Sequence, residues 1–327
     1  MAKRKYSKKN KLSIEVVVIV LVLAFILAAA AAIMHFAGVL DDVLGMLNID
    51  LPFLETPDDG DTPPREPVSV EGEMEIHVID CGQADSILLL SEDEVMLVDT
   101  GDLKDSYTNK IINYLKSFNI TKIDYLILTH ADSDHIGGAP EIINEFDVEK
   151  CIMPDFVKTT KIYENTLLAL AENEVDCSVP VPGEVFKIGE ASCKVLAPLD
   201  DYEDCNDTSV VIRVDFGARS VLLTGDAEKE SEADIVATYT KADLKVDVLK
   251  SGHHGSRTSS SEALLDLCDP EYAVISCGDG NSYGHPHPET LDKYDDYGIE
   301  YYRTDLHGTV IIKTDGETLT ITTEKTA

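Results

Sequence analysis

Thr129-His130-Ala131-Asp132-Ser133-Asp134-His135-Ile136-Gly137-Gly138 is the stretch on which the reading of this chain turns. It puts two histidines and two aspartates into six positions, directly after the apolar run Tyr125-Leu126-Ile127-Leu128. Imidazole nitrogens and carboxylate oxygens are the usual ligands of zinc and similar first-row dications. A strand ending in a tight loop can turn several such side chains toward one point, and Gly137-Gly138 lets the backbone bend before a following helix. Taken singly, each residue reads as part of a solvated loop. Together they weigh more, because other apolar runs also end in acids or histidines. Val95–Val98 runs into Asp99-Thr100-Gly101-Asp102, Val221–Thr224 into Gly225-Asp226, and Val246–Leu249 toward His253-His254-Gly255. Loops at strand ends are where α/β scaffolds place functional side chains.

The 327 residues suffice for one large domain or two ordinary ones, with a core that needs no disulfides. The formal net charge is −34. Residues 1–38 hold six basic residues against Glu15, so the remainder carries −39. Such a surface does not draw nucleic acid from a distance, and it attracts cations. None of the seven cysteines forms a CxxC pair, so a zinc ribbon is not indicated. There is no Gly-x-x-x-x-Gly-Lys loop and no Gly-x-Ser-x-Gly elbow, so neither a nucleotide cofactor nor a serine hydrolase is expected.

The N-terminus divides into three parts. Residues 1–13 are a basic tail. Residues 14–38 contain an uncharged stretch, Val16–Gly38, long enough to cross a bilayer. Basic residues before it and Asp41-Asp42 after it predict a single-pass cell-membrane anchor with the tail cytoplasmic and the bulk of the chain extracellular. The rival reading is a cleaved signal peptide and a secreted protein. Residues 39–72 form an acidic, Pro-rich linker, expected to be a flexible spacer.

From residue 73 to 327 short β-rich runs alternate with helical patterns. Strands are expected at 75–80, 86–90, 95–99, 125–129, 192–196, 209–215, 220–224, 246–249 and 273–276, with a closing hairpin of 309–313 and 318–322. Helices are expected at 108–118, 140–146, 162–174, 228–239, 260–267 and 288–297. Two β-rich halves, each followed by helices, predict an α/β fold of two packed sheets flanked by helices.

These residues carry a resemblance. The run from His130 to His135 is similar to the HxHxDH signature of the metallo-β-lactamase superfamily, with Asp132 at the middle histidine. The order of Asp99-Thr100-Gly101, that run, Gly225-Asp226 and His254-Gly255 follows the same superfamily. More narrowly, Ile79-Asp80-Cys81-Gly82-Gln83-Ala84-Asp85-Ser86-Ile87-Leu88, Leu223–Asp226, Lys250–Ser256, Tyr283-Gly284-His285-Pro286 and Arg303-Thr304-Asp305 resemble the hydrolase domain of the ComEC/Rec2 competence proteins. The resemblance covers about residues 74–323.

It implies an αββα sandwich holding two divalent metal ions, zinc or manganese, at one edge of the sheets. His130 and Asp132 would bind the first ion, Asp134, His135 and His254 the second, and Asp226 would bridge them, screening the repulsion of two close dications. Asp99 would orient a ligand or its loop. Asp134, His253 and His285 are the candidate catalytic residues. His253 reads either as a proton donor or phosphate contact, or as an ordinary loop residue. His287, His77 and His307 are expected to be structural or at the surface, and Arg303 to be an ion-pair partner. Two departures stand out. Asp132 is an anion where the pattern has a neutral ligand, which favours a harder ion such as manganese. The segment Cys205-Asn206-Asp207-Thr208-Ser209 lacks the expected histidine, so Asp207 or Asn206 substitutes, or the first position is weak.

The function expected is a membrane-anchored extracellular hydrolase, the anchor read from residues 14–38, while the resemblance implies a metal-activated water acting on a phosphodiester, in DNA or a cell-envelope polymer. With a single apolar span the chain is not expected to form a channel by itself. The alternative is a non-catalytic surface binding module on an inactivated version of the same fold.

Overall fold

The computed structural model describes residues 71–326. The basic tail, the apolar span and all but the end of the linker lie outside the described residues. Among the described residues no helix is long and apolar enough to cross a membrane.

The chain first lays down β1 (Met74–Val78), β2 (Ile87–Ser91), β3 (Glu94–Val98), helix α1 (Asp105–Ser117), β4 (Lys122–Ile127), the short α2 (Ser133–Ile136), α3 (Ala139–Glu145), β5 (Asp147–Ile152), α4 (Lys161–Glu172) and β6 (Asp176–Ser178). It continues through β7 (Val185–Ile188), β8 (Ala191–Ala197), β9 (Val211–Phe216), β10 (Arg219–Leu223), α5 (Lys229–Thr238), α6 (Lys241–Leu244), β11 (Val248–Lys250), α7 (Glu262–Cys268), β12 (Tyr272–Ile275), α8 (Pro288–Tyr297) and β13 (Glu300–Arg303). After α9 (Thr304–His307), the hairpin β14 (Val310–Thr314) and β15 (Leu319–Thr323) closes the domain.

Two sheets result. The first has the order β15-β14-β1-β2-β3-β4-β5-β6, the second β13-β12-β11-β10-β9-β8-β7. Each combines antiparallel pairs with a parallel run: β3 to β6 in the first sheet, β10 to β13 in the second. Period-two alternation feeds two cores from one strand. In β3, Val95 and Leu97 face the helix-covered core, while Met96 and Val98 join Ile212, Val214 and Val221 between the sheets. In β10, Val221 and Leu223 point between the sheets and Leu222 packs under α5 and α7 with Ile235 and Leu264. Helices, sheet, sheet and helices make four layers.

Parallel strands end at a common edge, so β3, β4, β10, β11 and β12 release their loops side by side. Gly225 sits where the sheets meet: a Cβ there would lie 3.0 Å from the Thr129 Cβ, and its φ is +52°. A side chain at 225 would have to shift Thr129 or Ser209 by a few tenths of an ångström, in a backbone conformation that residues with a Cβ rarely adopt.

Expected strands and helices overlap those observed, with ends displaced by one or two residues in most cases. Sequence patterning does not pick out β5, β6, β7 or β13. Asp147, Glu149 and Lys150 make β5 read as polar, and the other three lie at sheet edges, where a strand needs no continuous apolar face.

Candidate metal centre

Thr129 anchors the loop after β4. Its backbone N–H and hydroxyl donate to the two oxygens of Asp99, at 2.8 and 2.7 Å. The loop then enters α2, where the His135 carbonyl accepts the Thr100 N–H at 2.7 Å. These bonds bury His130 and His135 completely and leave Asp132 and Asp134 at the cleft wall.

From the second sheet, Asp226 leaves β10 and the His253-His254 turn leaves β11. Both histidines have left-handed φ, 45° and 53°, an unusual conformation for residues with a Cβ. The turn aims the two rings differently. His254 is buried and faces Asp226, with its Nε2 3.5 Å from Asp226 Oδ2 and 3.4 Å from Asp134 Oδ2. His135 Nε2 stands 3.2 Å from Asp226 Oδ2. Asp134, His135, Asp226 and His254 thus offer four ligand atoms that all lie within 4.8 Å of one another.

Each imidazole is fixed from behind. His135 Nδ1 donates to Asp99 Oδ2 at 2.7 Å, His254 Nδ1 donates to the Ser276 carbonyl at 3.0 Å, and His130 Nδ1 lies 3.2 Å from the Thr129 hydroxyl. The opposite nitrogens, Nε2 of His130, His135 and His254, are buried without a hydrogen-bond partner, as is Asp226 Oδ1. Buried polar atoms are costly when unpaired. Those of His135, His254 and Asp226 belong to the four-residue group and that of His130 lies outside it; with each histidine oriented through its other nitrogen, such atoms are a donor set suited to cations. The field agrees. Burial works against a charged His135, yet Asp226 and Asp99 outweigh it and raise its pKa well above the ordinary histidine value. Burial also opposes ionised Asp134, but His254 Nε2 facing it at 3.4 Å and the charge of His135 bring it down to about 2. Burial alone would neutralise Asp226 as well, but His135 and His254 hold it well below the usual carboxylate range. In His130 burial dominates and, with His135 beside it, pushes the ring well below the ordinary value.

The other residues singled out in the sequence surround this group at varying distance. His253 is partly exposed, its Nε2 3.7 Å from Asp226 Oδ2 and its Nδ1 2.6 Å from Glu228 Oε1. Burial lowers its pKa, but the Glu228 hydrogen bond and Asp226 raise it on balance. His285 lies across the cleft, its ring centroid 5.3 Å from that of His253 and its Nδ1 3.3 Å from Gln83 Nε2. Burial, with His253 and His254 next to it, depresses His285 to about 4. Asp132 reaches toward His130, Oδ2 to Nε2 at 3.9 Å, and its Oδ1 is held by Lys158. Asp207, the candidate substitute ligand, is not brought to the four-atom group. Its Oδ1 accepts the backbone N–H of Glu228 and of Ser231 at 3.0 Å, so it caps the start of α5 instead. Arg303 pairs with Asp305, as an ion-pair role requires. His77 bonds Tyr114 and Glu75 far from the cleft, and His287 accepts the Arg257 N–H.

Sequence reasoning did not single out Glu228, Lys158 or the pair Asp85–Lys250. Lys250 Nζ lies 2.7 Å from Asp85 Oδ2, and both side chains are 1% exposed. Asp85 Oδ1 is also 3.5 Å from His254 Nδ1, so the pair sits directly behind that ligand. The ligand atoms open into a cleft of about 330 Å³ lined by Gln83, Asp132, Lys158, His253, Tyr283 and His285, among others.

Comparison with known proteins fits this geometry. Residues 79–279 match the family model of the metallo-beta-lactamase superfamily. The chain is 33% identical over 259 residues to ComE operon protein 3 of Bacillus subtilis, covering 74% of this chain and 33% of that protein. It is 32% identical over 239 residues to competence protein ComA of Neisseria gonorrhoeae, covering 73% and 32%. It therefore spans about a third of the length of the curated relatives it matches. Among solved structures, the metallo-beta-lactamase fold protein YhfI of Bacillus subtilis superposes with a TM-score of 0.50 at 14% identity, over 76% of this chain and 100% of that one.

Proposed function

This chain belongs to the metallo-beta-lactamase superfamily, on its ComEC/Rec2-like branch, and on that premise we propose that it is a metal-dependent phosphodiesterase. The observation that carries the proposal is the convergence of unpartnered buried ligand atoms beside an open cleft. Asp134, His135, Asp226 and His254 would hold one divalent ion, zinc or manganese. His130 and Asp132, sharing Asp226, would hold a second. A bound dication supplies a water that ionises near neutral pH and a positive charge opposite the scissile phosphate.

The chain's own residues do the rest. His253 faces the cleft with Glu228 holding its Nδ1, which keeps a proton available for a leaving oxygen. Gln83 orients His285, and the exposed Tyr283 ring stacks on it at 5.7 Å between centroids, forming an aromatic wall for the substrate. The substrate is a phosphodiester polymer, either DNA or an envelope polymer. The proposed location follows from residues 14–38: a membrane anchor with the domain outside the cell, or a secreted domain if that segment is cleaved. The competing reading, a non-catalytic binding module, draws support from Asp132, whose carboxylate is already held by Lys158.

Hydrolysis of bis(p-nitrophenyl) phosphate by the full chain with Mn²⁺ or Zn²⁺ tests the proposal. Activity is expected in the wild type and should fall to background in Asp134→Ala and Asp226→Ala. An inactive wild type, or variants as active as the wild type, would favour the binding module. Single-stranded DNA assayed against glycerol-phosphate polymers then separates the substrates.

A further inference from the structure

The two ion positions are built from unequal material. The four-atom group of Asp134, His135, Asp226 and His254 contains two acids and two oriented imidazoles. The other position has one buried unpartnered imidazole nitrogen, His130 Nε2, with Asp132 Oδ2 3.9 Å away. It lacks a further ligand from the segment that should provide one: Asp207 is used as a helix cap, and Asn206 turns its side chain to Glu228. A positive side chain is already there. Lys158, on the loop between β5 and α4, lays its ammonium on Asp132 Oδ1, with about a quarter of the lysine and a third of the aspartate side chain exposed. Lysine suits this task, being a compact charge on a flexible stem that can withdraw without disturbing the fold.

We propose that Lys158 fills the first cation position in the resting protein, so that one ion binds tightly in the four-atom group and a second enters only by displacing the ammonium from Asp132. The inference rests on the metal-dependent reading and adds an order of loading to it. Lys158 is then a positioning residue: it holds Asp132 in line with His130 and sets how much free metal is needed for the second ion.

The test is calorimetric titration of the chelator-stripped full chain with Mn²⁺, with bound ions counted by native mass spectrometry. The wild type should take up one tight equivalent and a second that is weaker by roughly 10–100-fold, the range by which partners of metal ligands alter affinity. Lys158→Met should bring the second equivalent toward the first, whereas Lys158→Arg, which keeps the charge, should leave it weak. Asp132→Asn should keep the tight equivalent and lose the second. Two equal equivalents in the wild type, or a second equivalent unmoved by Lys158→Met, would overturn the role of Lys158 while leaving the metal-dependent reading intact. A wild type that binds no ion would overturn both. Circular dichroism of each variant confirms that the fold is retained.

Discussion

The two sheets supply the site in opposite styles. The first sheet concentrates its candidate ligands in one loop, with His130, Asp132, Asp134 and His135 inside six residues after β4. The second delivers them singly, Asp226 after β10 and His254 after β11, and surrounds them with more support. Glu228 holds His253, the Ser276 carbonyl and Asp85 stand behind His254, and Lys250 is buried with Asp85. A loop crowded with ligands is fixed largely by its own backbone and by Asp99. An isolated ligand has no such neighbours, so its direction must come from buried side chains across the interface. Both bury an ionisable pair behind their ligands, Asp99 with His135 in the first and Asp85 with Lys250 in the second, and the second stakes the direction of an isolated ligand on it.

The largest expected effect follows from that stake. Lys250→Met removes the ammonium from a buried Asp85 and leaves it only His254 nearby, a loss of about 3–5 kcal/mol of stability. Replacing both partners by apolar residues, Asp85→Leu with Lys250→Met, should recover much of it, because a buried pair owes most of its apparent worth to the cost of breaking it. Urea unfolding of the chelator-treated protein measures both. If Lys250→Met is nearly neutral, the second sheet does not depend on this pair, and the contrast between the sheets is lost.

The same contrast accounts for what was legible in the sequence. The crowded loop could be read directly, because four residues of metal-ligand type fall within six positions after an apolar run. Asp99, Asp226 and His254 were legible through their places after strands and through the family resemblance. Glu228 was not, since an acid at a helix start is ordinary until His253 is folded onto it. Lys250 did carry a signal: it ends a buried strand, where a lysine needs a partner. Lys158 lies in a loop without periodicity, and only the fold brings it to Asp132. Asp207 shows the opposite failure. Motif order suggested a ligand, while the structure spends its carboxylate on two backbone N–H groups 21 and 24 residues away. Motif order locates a segment but does not say which way its side chain turns. Edge strands β6, β7 and β13 escaped for a related reason: their hydrogen bonds come from one neighbour, and their side chains need follow no pattern.

Asp99→Asn probes the first sheet. Oδ1 takes the Thr129 N–H, so the amide of asparagine must place its NH₂ where Oδ2 now meets His135 Nδ1. A donor there drives the ring proton from Nδ1 to Nε2, the atom aimed at Asp226, and removes its lone pair from the cation site. Metal affinity measured by calorimetry should fall by ~10–100-fold with the fold intact. Unchanged affinity would mean that the loop orients its ligands without Asp99, making the first sheet more self-sufficient still.

The smallest effect concerns Glu232, which supports the second sheet's loop from α5. Its carboxylate accepts the N–H groups of Ser260 and Ser261, at 2.6 and 2.8 Å, just beyond the histidine turn. Burial raises its pKa from 4.5 to about 6, against the lowering effect of those same bonds. Within that window the folded chain keeps a proton that the unfolded chain has released. Stability through this group is therefore greatest below pH 4.5 and declines as pH rises to 6, by about 2 kcal/mol in all. Glu232→Gln cannot titrate, so the stability of wild type minus variant should drop by that amount across the window, whatever other groups contribute to each curve. Denaturant midpoints from pH 4 to 7, with chelator present, give the difference directly. A pH-independent difference would mean that Glu232 binds its proton alike in the folded and unfolded chain, leaving its two N–H bonds as its whole contribution to the loop.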